Sequence, residues 1–205
     1  MGDDRAQLAA WRAGDAEAGQ ALVERHYESV LRFFRTKAGE DADDLVQQTF
    51  LRAVEHAERF RGESSFRGFL FGIARNVLFE HIRRKRRDGR RDCDFGVSSI
   101  LDLNPRASTI LVQRAEERAL VQALQRMPVE IQIVLELYYW EELSVGDVAA
   151  AVEVPAGTVK SRLHRGRTLL RQAMKKTPSR LTGARSDDGG PSLARWLARD
   201  ERPAD

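Results

Sequence analysis

The chain has 205 residues, enough for one large or two small domains, and 34 lysines and arginines against 31 acids leave it slightly basic. Its single cysteine, Cys93, excludes an internal disulfide, and the four histidines make no metal-binding spacing with it. No apolar run approaches the roughly 20 residues that span a bilayer, and Met1-Gly2-Asp3-Asp4 is unlike a signal peptide, so a cytoplasmic protein is expected.

Strand signals are nearly absent, and the chain reads as all-α. A first helix is predicted from about Asp4 to Arg12, stopping near Gly14. Asp15 caps a second that runs to about Lys37, with Leu22, His26, Val30, Phe33 and Phe34 along one side, and Ala38-Gly39 ends it. A third begins after Asp41 and carries Val46, Phe50, Ala53, Ala57 and Phe60 at the spacing of one buried stripe. Beyond the loop Arg61-Gly62-Glu63-Ser64-Ser65, a fourth is predicted from about Ser65 through Arg87, with Phe69, Ile73, Val77 and Ile82 inward. Its end is basic without relief: Arg83-Arg84-Lys85-Arg86-Arg87, then Arg90-Arg91. Such a run is either a solvated end or a nucleic-acid contact. Phe60, Phe66, Phe69 and Phe71 have two readings as well, as stacking surfaces for unpaired DNA or as core.

From about Asp88 to Thr109 the periodicity lapses, and Gly89, Gly96, Asn104 and Pro105 suggest a flexible link. A helix resumes near Ile110 and runs to about Gln125, with Leu111, Ala115, Ala119, Leu120, Ala123 and Leu124 as core positions. Met127-Pro128 breaks it, and another follows over about Val129 to Trp140. Leu143 to Arg171 then reads as helix, tight turn and helix. Ser144 with Asp147 is a capping pattern, opening a short helix whose inner positions are Val145, Val148, Ala149 and Val152. Glu153 and Val154 turn the chain, and Pro155 sits where a first helical residue tolerates proline. The next helix has an apolar stripe of Val159, Leu163, Gly166 and Leu170. Its opposite face carries Gly157, Lys160, Ser161, His164, Arg165 and Thr168, with no acid. That is the geometry that enters a DNA major groove, although a basic face is often only a solvated one. The tail after Thr177-Pro178 is polar with one island, Ser192 to Leu197, which reads as incidental or as a short turn formed on binding. The expected organisation is a first helical domain over 1–87, a flexible linker over 88–109, a helix-turn-helix domain over 110–177 and a flexible tail over 178–205.

Four stretches together resemble an extracytoplasmic-function sigma factor, the small two-domain class of the bacterial sigma-70 family. They are ADDLVQQTFLRAV (Ala42 to Val54), FRGESSFRGFLFGIARNVLFEHIRRKRR (Phe60 to Arg87), LQRMP (Leu124 to Pro128) and VPAGTVKSRLHRGRTLLR (Val154 to Arg171). The resemblance implies an all-α fold, a region 2 bundle followed by a region 4 four-helix domain. It implies a transcription initiation factor, not an enzyme, with no cofactor and no metal.

In that family the third helix docks on the clamp helices of the polymerase β′ subunit, which maps here to Asp43, Asp44, Leu45, Gln47, Gln48, Phe50 and Leu51. Phe50 and Leu51 would supply apolar area to the partner. The next loop and helix read and open the promoter −10 element, which maps to Phe60, Arg61, Gly62, Ser64, Ser65, Phe66, Arg75, Asn76, Arg83, Arg84 and Arg86. The linker acids Asp88, Asp92, Asp94 and Asp102 would mimic nucleic acid. Region 4 would read the −35 element through Thr158, Lys160, Ser161, Arg162, His164, Arg165 and Arg167. Arg165 and Lys160 are the candidates for guanine edges, and Arg162 and Arg167 for phosphate. The partners implied are core RNA polymerase through its β′ clamp helices and β flap, promoter DNA, and an anti-sigma factor, through which the chain could be held at the membrane. The free protein is expected to be a monomer without membrane insertion.

Several positions depart from the family pattern. Gly19 stands where a large aromatic is usual, so a looser N-terminal helix is expected. Met127 and Gln132 replace a leucine and an arginine, Val145-Gly146 lacks an aromatic, and Gly166 replaces an alanine. Two other classes stay in view. A stand-alone helix-turn-helix regulator leaves Ala42 to Val54 without a role. A resolvase-like enzyme needs a carboxylate cluster at the DNA surface, and Asp41, Asp43 and Asp44 are explained by the N-terminal dipole of the helix they lead.

Overall fold

The computed structural model describes residues 4–60, 64–85, 94–103 and 115–175. In chain order the helices are α1 (Asp4–Arg12), α2 (Ala16–Ala38), α3 (Ala42–Glu55), α4 (Phe66–Lys85), α5 (Ile100–Leu103), α6 (Ala115–Gln125), α7 (Val129–Tyr139), α8 (Val145–Val152) and α9 (Ala156–Lys175). Among the described residues, extended pairing is limited to one bridge between Ser99 and Pro128.

Helices α1 to α4 form the first bundle. Asp15 caps α2, its Oδ1 accepting from the Ala18 N–H at 3.0 Å, and Gly39 turns the chain at its other end with a positive φ of 63°. Leu22, Val30, Phe33 and Phe34 of α2 share a core with Val46, Phe50 and Ala53 of α3 and with Leu70, Phe71 and Leu78 of α4. Helix α3 stops at Glu55, so Ala57 and Phe60 lie in and just after a 3₁₀ turn and are only half-buried. Gly19 does not loosen the bundle. A Cβ there would come within 2.5 Å of the Trp11 indole, so an aromatic from α1 fills the space that a side chain on α2 was expected to leave empty.

Helix α4 differs from the predicted single stripe. Phe69 and Ile73 are only half-buried, whereas Phe66, Leu70, Phe71, Ala74, Val77, Leu78, Phe79 and Ile82 are buried. Helices α2 and α3 cover α4 from one direction and α8 from another. The linker adds a third cover, Phe95 stacking on Phe79 with centroids 3.9 Å apart. A helix enclosed from several directions needs no one-sided pattern. The flexible linker is corrected for its described part. The Ser98 carbonyl accepts from the Val129 N–H at 3.0 Å and the Phe95 carbonyl from the Glu130 N–H at 3.1 Å, which ties residues 94–103 to the start of α7.

Helices α6 to α9 form the second bundle around α7, whose residues Val129 and Ile131 to Leu137 are all buried. Leu120, Ala123 and Leu124 of α6 are buried as predicted, while Leu111 lies outside the described residues. Ser144 caps α8, accepting from the Asp147 N–H at 3.0 Å and donating to its carboxylate at 2.8 Å. The stripe of α9, Val159, Leu163, Gly166 and Leu170, is buried. A Cβ at Gly166 would meet Leu135 and Ile131 side chains at 2.8 and 2.9 Å. Gly166→Val is therefore expected to cost about 1–3 kcal/mol by overpacking. Thermal unfolding should show a clear drop in midpoint, and an unchanged midpoint would mean that α9 can part from α7 freely.

The two bundles are joined by packing as well as by chain. Helix α8 lies along α4, and Lys37 at the end of α2 forms a fully buried ion pair with Glu136 of α7.

Candidate nucleic-acid interface

Because the apolar stripe of α9 faces α7 and α8, the other face turns outward. Gly157, Lys160, Ser161, His164, Arg165 and Thr168 are exposed, and Thr158 is half-buried. The Ser161 hydroxyl donates to the Thr158 carbonyl at 2.9 Å, and the Thr168 hydroxyl to His164 at 3.1 Å. Arg162 and Arg167 flank this face, half-buried, and Arg162 pairs with Glu130 of α7. The result is a cationic strip bearing short polar side chains, able to donate to base-edge acceptors and phosphates in a groove. Glu153, left-handed at φ 56°, turns the chain between α8 and α9.

The second surface runs along α4. Ser65 and Asn76 are exposed, Ser64 and Arg75 are half-buried, and Arg83 and Arg84 are exposed at the basic end. Arg75 lies over the Phe79 ring at 4.6 Å, and Arg83 is 5.3 Å from the Phe95 ring centre. Phe66 is corrected. It is 5 % exposed and packs between His26, Phe60 and Phe69, with centroids 5.3, 5.9 and 6.2 Å away, so it is core. Phe60 and Phe69 are half-buried and lie against each other, with ring centroids 5.2 Å apart. Arg61, Gly62 and Arg86 lie outside the described residues. A cavity of about 230 Å³ opens between α4 and α8, lined in part by Ser64, Phe69, Ile73, Asn76, Ala150 and Glu153.

The third surface is the outer side of α3. Asp43, Asp44, Gln47 and Leu51 are exposed, Leu51 by 63 %, and Gln48 is half-buried. Leu45 and Phe50 are corrected: at 1 % and 5 % exposure they belong to the core, because α2 and α4 close over that side of the helix. Of the linker acids, Asp94 accepts from the Gly96 N–H at 2.9 Å and Asp102 from the Ser99 N–H at 2.9 Å, so both are engaged in their own turns. Asp88 and Asp92 lie outside the described residues.

Sequence reasoning missed the residues that bring the α4 surface and the second bundle together. The Ser65 N–H donates to Asp147 Oδ1 at 2.6 Å. Glu141, itself buried, accepts from Arg67 at 2.5 Å and from Arg32 at 3.1 Å. Glu153 lies 3.7 Å from Arg75. Burial works against the Asp147 carboxylate, but the donors Ser65 and Ser144 outweigh it and hold its pKa below the usual range. One signal was available: Gly68 and Gly72, one turn apart, leave α4 flat enough for another backbone to approach.

Among the described residues, no group of histidine, cysteine or acidic side chains could hold a metal ion, and no helix is long and apolar enough to cross a membrane.

Residues 22–88 match the family model for sigma-70 region 2, and residues 117–170 that for sigma-70 region 4. The chain is 31% identical over 177 residues to the RNA polymerase sigma-H factor of Pseudomonas aeruginosa, covering 78% of this chain and 88% of that one. It is 32% identical over 170 residues to the ECF RNA polymerase sigma factor SigM of Mycobacterium tuberculosis, covering 82% of each. The fold is similar to that of CnrH in its complex with the cytosolic domain of CnrY, with a TM-score of 0.62, 23% identity, and 86% and 99% of the two chains covered. It is also similar to the sigma factor RpoE of Bartonella quintana in complex with the anti-sigma factor NepR, with a TM-score of 0.58, 22% identity, and 78% and 98% covered.

Proposed function

Because this chain belongs to the extracytoplasmic-function group of the sigma-70 family, and so directs RNA polymerase to specific promoters, we propose that its surfaces divide that task in three. Residues 1–87 serve as region 2 and 110–177 as region 4. The outer side of α3 docks on the β′ clamp helices through Asp44, Gln47 and Leu51. The α4 surface, with Ser64, Ser65, Asn76 and the basic end, takes the −10 element, and α9 takes the −35 element while its bundle rests on the β flap. The polymerase supplies all catalysis.

The observation that carries this reading is the outer face of α9. Lys160, Ser161, His164 and Arg165 are all exposed on a helix without an acid, and its inner stripe is locked against α7. A stand-alone regulator would need only that face; the family membership and the exposed Leu51 on α3 favour a polymerase-bound factor instead. An anti-sigma partner, which would also decide any membrane tethering, is supported by the complex of RpoE with NepR.

Arg165→Ala tests the division of labour. It is expected to weaken promoter-specific binding of the holoenzyme by about 1–3 kcal/mol, the worth of one bidentate base contact. Affinity for core polymerase should not change. Equal losses in both measurements would contradict separate surfaces, and no loss in either would remove Arg165 from the DNA face.

A further inference from the structure

The outer side of α3 and the island in the tail have complementary chemistry. On α3, Asp44, Gln47, Gln48, Leu51 and Glu55 recur at helical spacing and share one side. Leu51 is 63 % exposed, one of two large apolar side chains left so among the described residues. Two exposed acids, Asp44 and Glu55, stand toward either end of the same side. The one base of the helix, Arg52, is held by both carboxylate oxygens of Glu80 at 2.9 and 2.6 Å, which turns its charge toward α4. A leucine exposed between acids fits a partner that offers apolar and basic side chains together. The chain carries such a segment. Residues 176–205 lie outside the described residues, and the match to region 4 ends at residue 170, so neither the fold nor the family gives this stretch a task. Within it, Leu193, Trp196 and Leu197 have helical spacing. Arg195 and Arg199, four apart, flank them, and the run from Ser192 to Arg199 holds no acid. The connecting residues 176–191 can extend to about 50 Å, against a width of roughly 40 Å for a compact body of this size, so α3 is within reach of the end of α9.

We propose that residues 192–199 dock in cis on the outer side of α3 as a short helix, with Trp196 and the two leucines over Leu51 and the arginines against Asp44 and Glu55. The tail then holds the face that core polymerase needs, and polymerase must displace it. This rests on the reading of α3 as the polymerase-docking side. A tether of this length gives an effective concentration on the order of 1 mM, so a contact with a Kd as weak as about 0.1 mM stays made about nine-tenths of the time. Apparent affinity for polymerase falls with the uncovered fraction, about tenfold.

Two measurements on the full-length chain carrying Cys93→Ser test this. The first places a nitroxide at Glu58→Cys, an exposed position just past Glu55, and follows the Trp196 indole N–H by NMR, its signal identified by its loss in Trp196→Ala. The signal should broaden, and should recover when the nitroxide is reduced. The broadening should be largely lost with Leu193→Ala and Leu197→Ala, which keep the tether. In the second measurement, the same pair of substitutions should tighten binding to core polymerase by about tenfold, a gain that a misfolded chain cannot give. No broadening, or broadening indifferent to the two leucines, would overturn the docking. Broadening seen only in a mixture of nitroxide-bearing and nitrogen-15 chains would assign the contact to a second copy and overturn docking in cis. Weaker polymerase binding by the leucine variant would place the tail on polymerase and overturn the competition. Leucine-dependent broadening with unchanged polymerase affinity would support the docking and count against α3 as the polymerase face.

Discussion

Lys37→Met is expected to weaken the packing of the two bundles on each other by about 3–5 kcal/mol, the usual result of leaving one member of a buried ion pair behind. Lys37 and Glu136 are fully buried, and Lys37 also donates to the Phe33 carbonyl at 2.8 Å and to the Thr36 hydroxyl at 2.9 Å. Burial lowers the lysine pKa and raises that of Glu136, so each charge depends on the other. With methionine in place, Glu136 keeps the Gln132 amide, 2.8 Å away, and the Thr36 hydroxyl, 3.5 Å away, and faces the nearby carboxylate of Glu141. The pair joins α2 to α7, so opening the bundles hydrates Glu136 at less cost than unfolding either one. The pH dependence follows from the direction of the shift. A carboxyl whose pKa is raised where the bundles pack favours that packing most below the ordinary carboxylate range, and the support is lost as pH rises through the raised value. The variant should be expanded in small-angle scattering near neutral pH and contract as the pH falls and Glu136 takes up its proton. Lys37→Met with Glu136→Leu should be compact again at neutral pH, since neither partner is then an unpaired charge. A single variant as compact as the parent across this range would show that the pair does not hold the bundles together.

Gln47→Ala with Leu51→Ala is expected to lower affinity for core polymerase by about 2–4 kcal/mol, as removal of a central apolar contact and its polar neighbour does in other interfaces. Both side chains are exposed, Leu51 by 63 %, so the fold should be unaffected. The direction of α3 makes Leu51 and not Phe50 the informative residue. Phe50 is core, and Phe50→Ala would cost about 3–5 kcal/mol of stability by opening a cavity. Its effect on polymerase binding would then say nothing about docking. Titration of labelled variant against core polymerase reads the difference directly, and unchanged affinity would move the docking surface off α3.

Much of the fold was legible because local signals agreed with the tertiary ones. The Asp15 cap, the Ser144–Asp147 pattern, the break at Met127-Pro128 and the stripe of α9 each stand where the residues suggested. The basic face of α9 was legible for the same reason: a helix held by one clean stripe has only one way to present its other side. The errors share a different cause. Helix α4 is enclosed from several directions, so its periodicity pointed to Phe69 and Ile73 and missed Leu70, Leu78 and Phe79. Phe50 and Phe66 were placed at partner surfaces by analogy with a motif, whereas the packing of α2 and α4 assigns them to the core. Lys37 and Ala151 could not be read at all. A lysine near a helix end and an alanine on a short helix carry no local mark of burial, and both are buried against residues roughly a hundred or eighty positions away in the chain, Glu136 and Gly72.

The central claim is that this chain gives core polymerase its choice of promoter. The most direct test adds it to core polymerase on fragmented genomic DNA from its own source and maps the 5′ ends of the transcripts. The prediction is a defined set of start sites, preceded by shared −35 and −10 elements, that appears only with the chain and is lost in the Gln47→Ala, Leu51→Ala variant. Specific duplex binding by the chain, with no affinity for core polymerase and no such start sites, would contradict it.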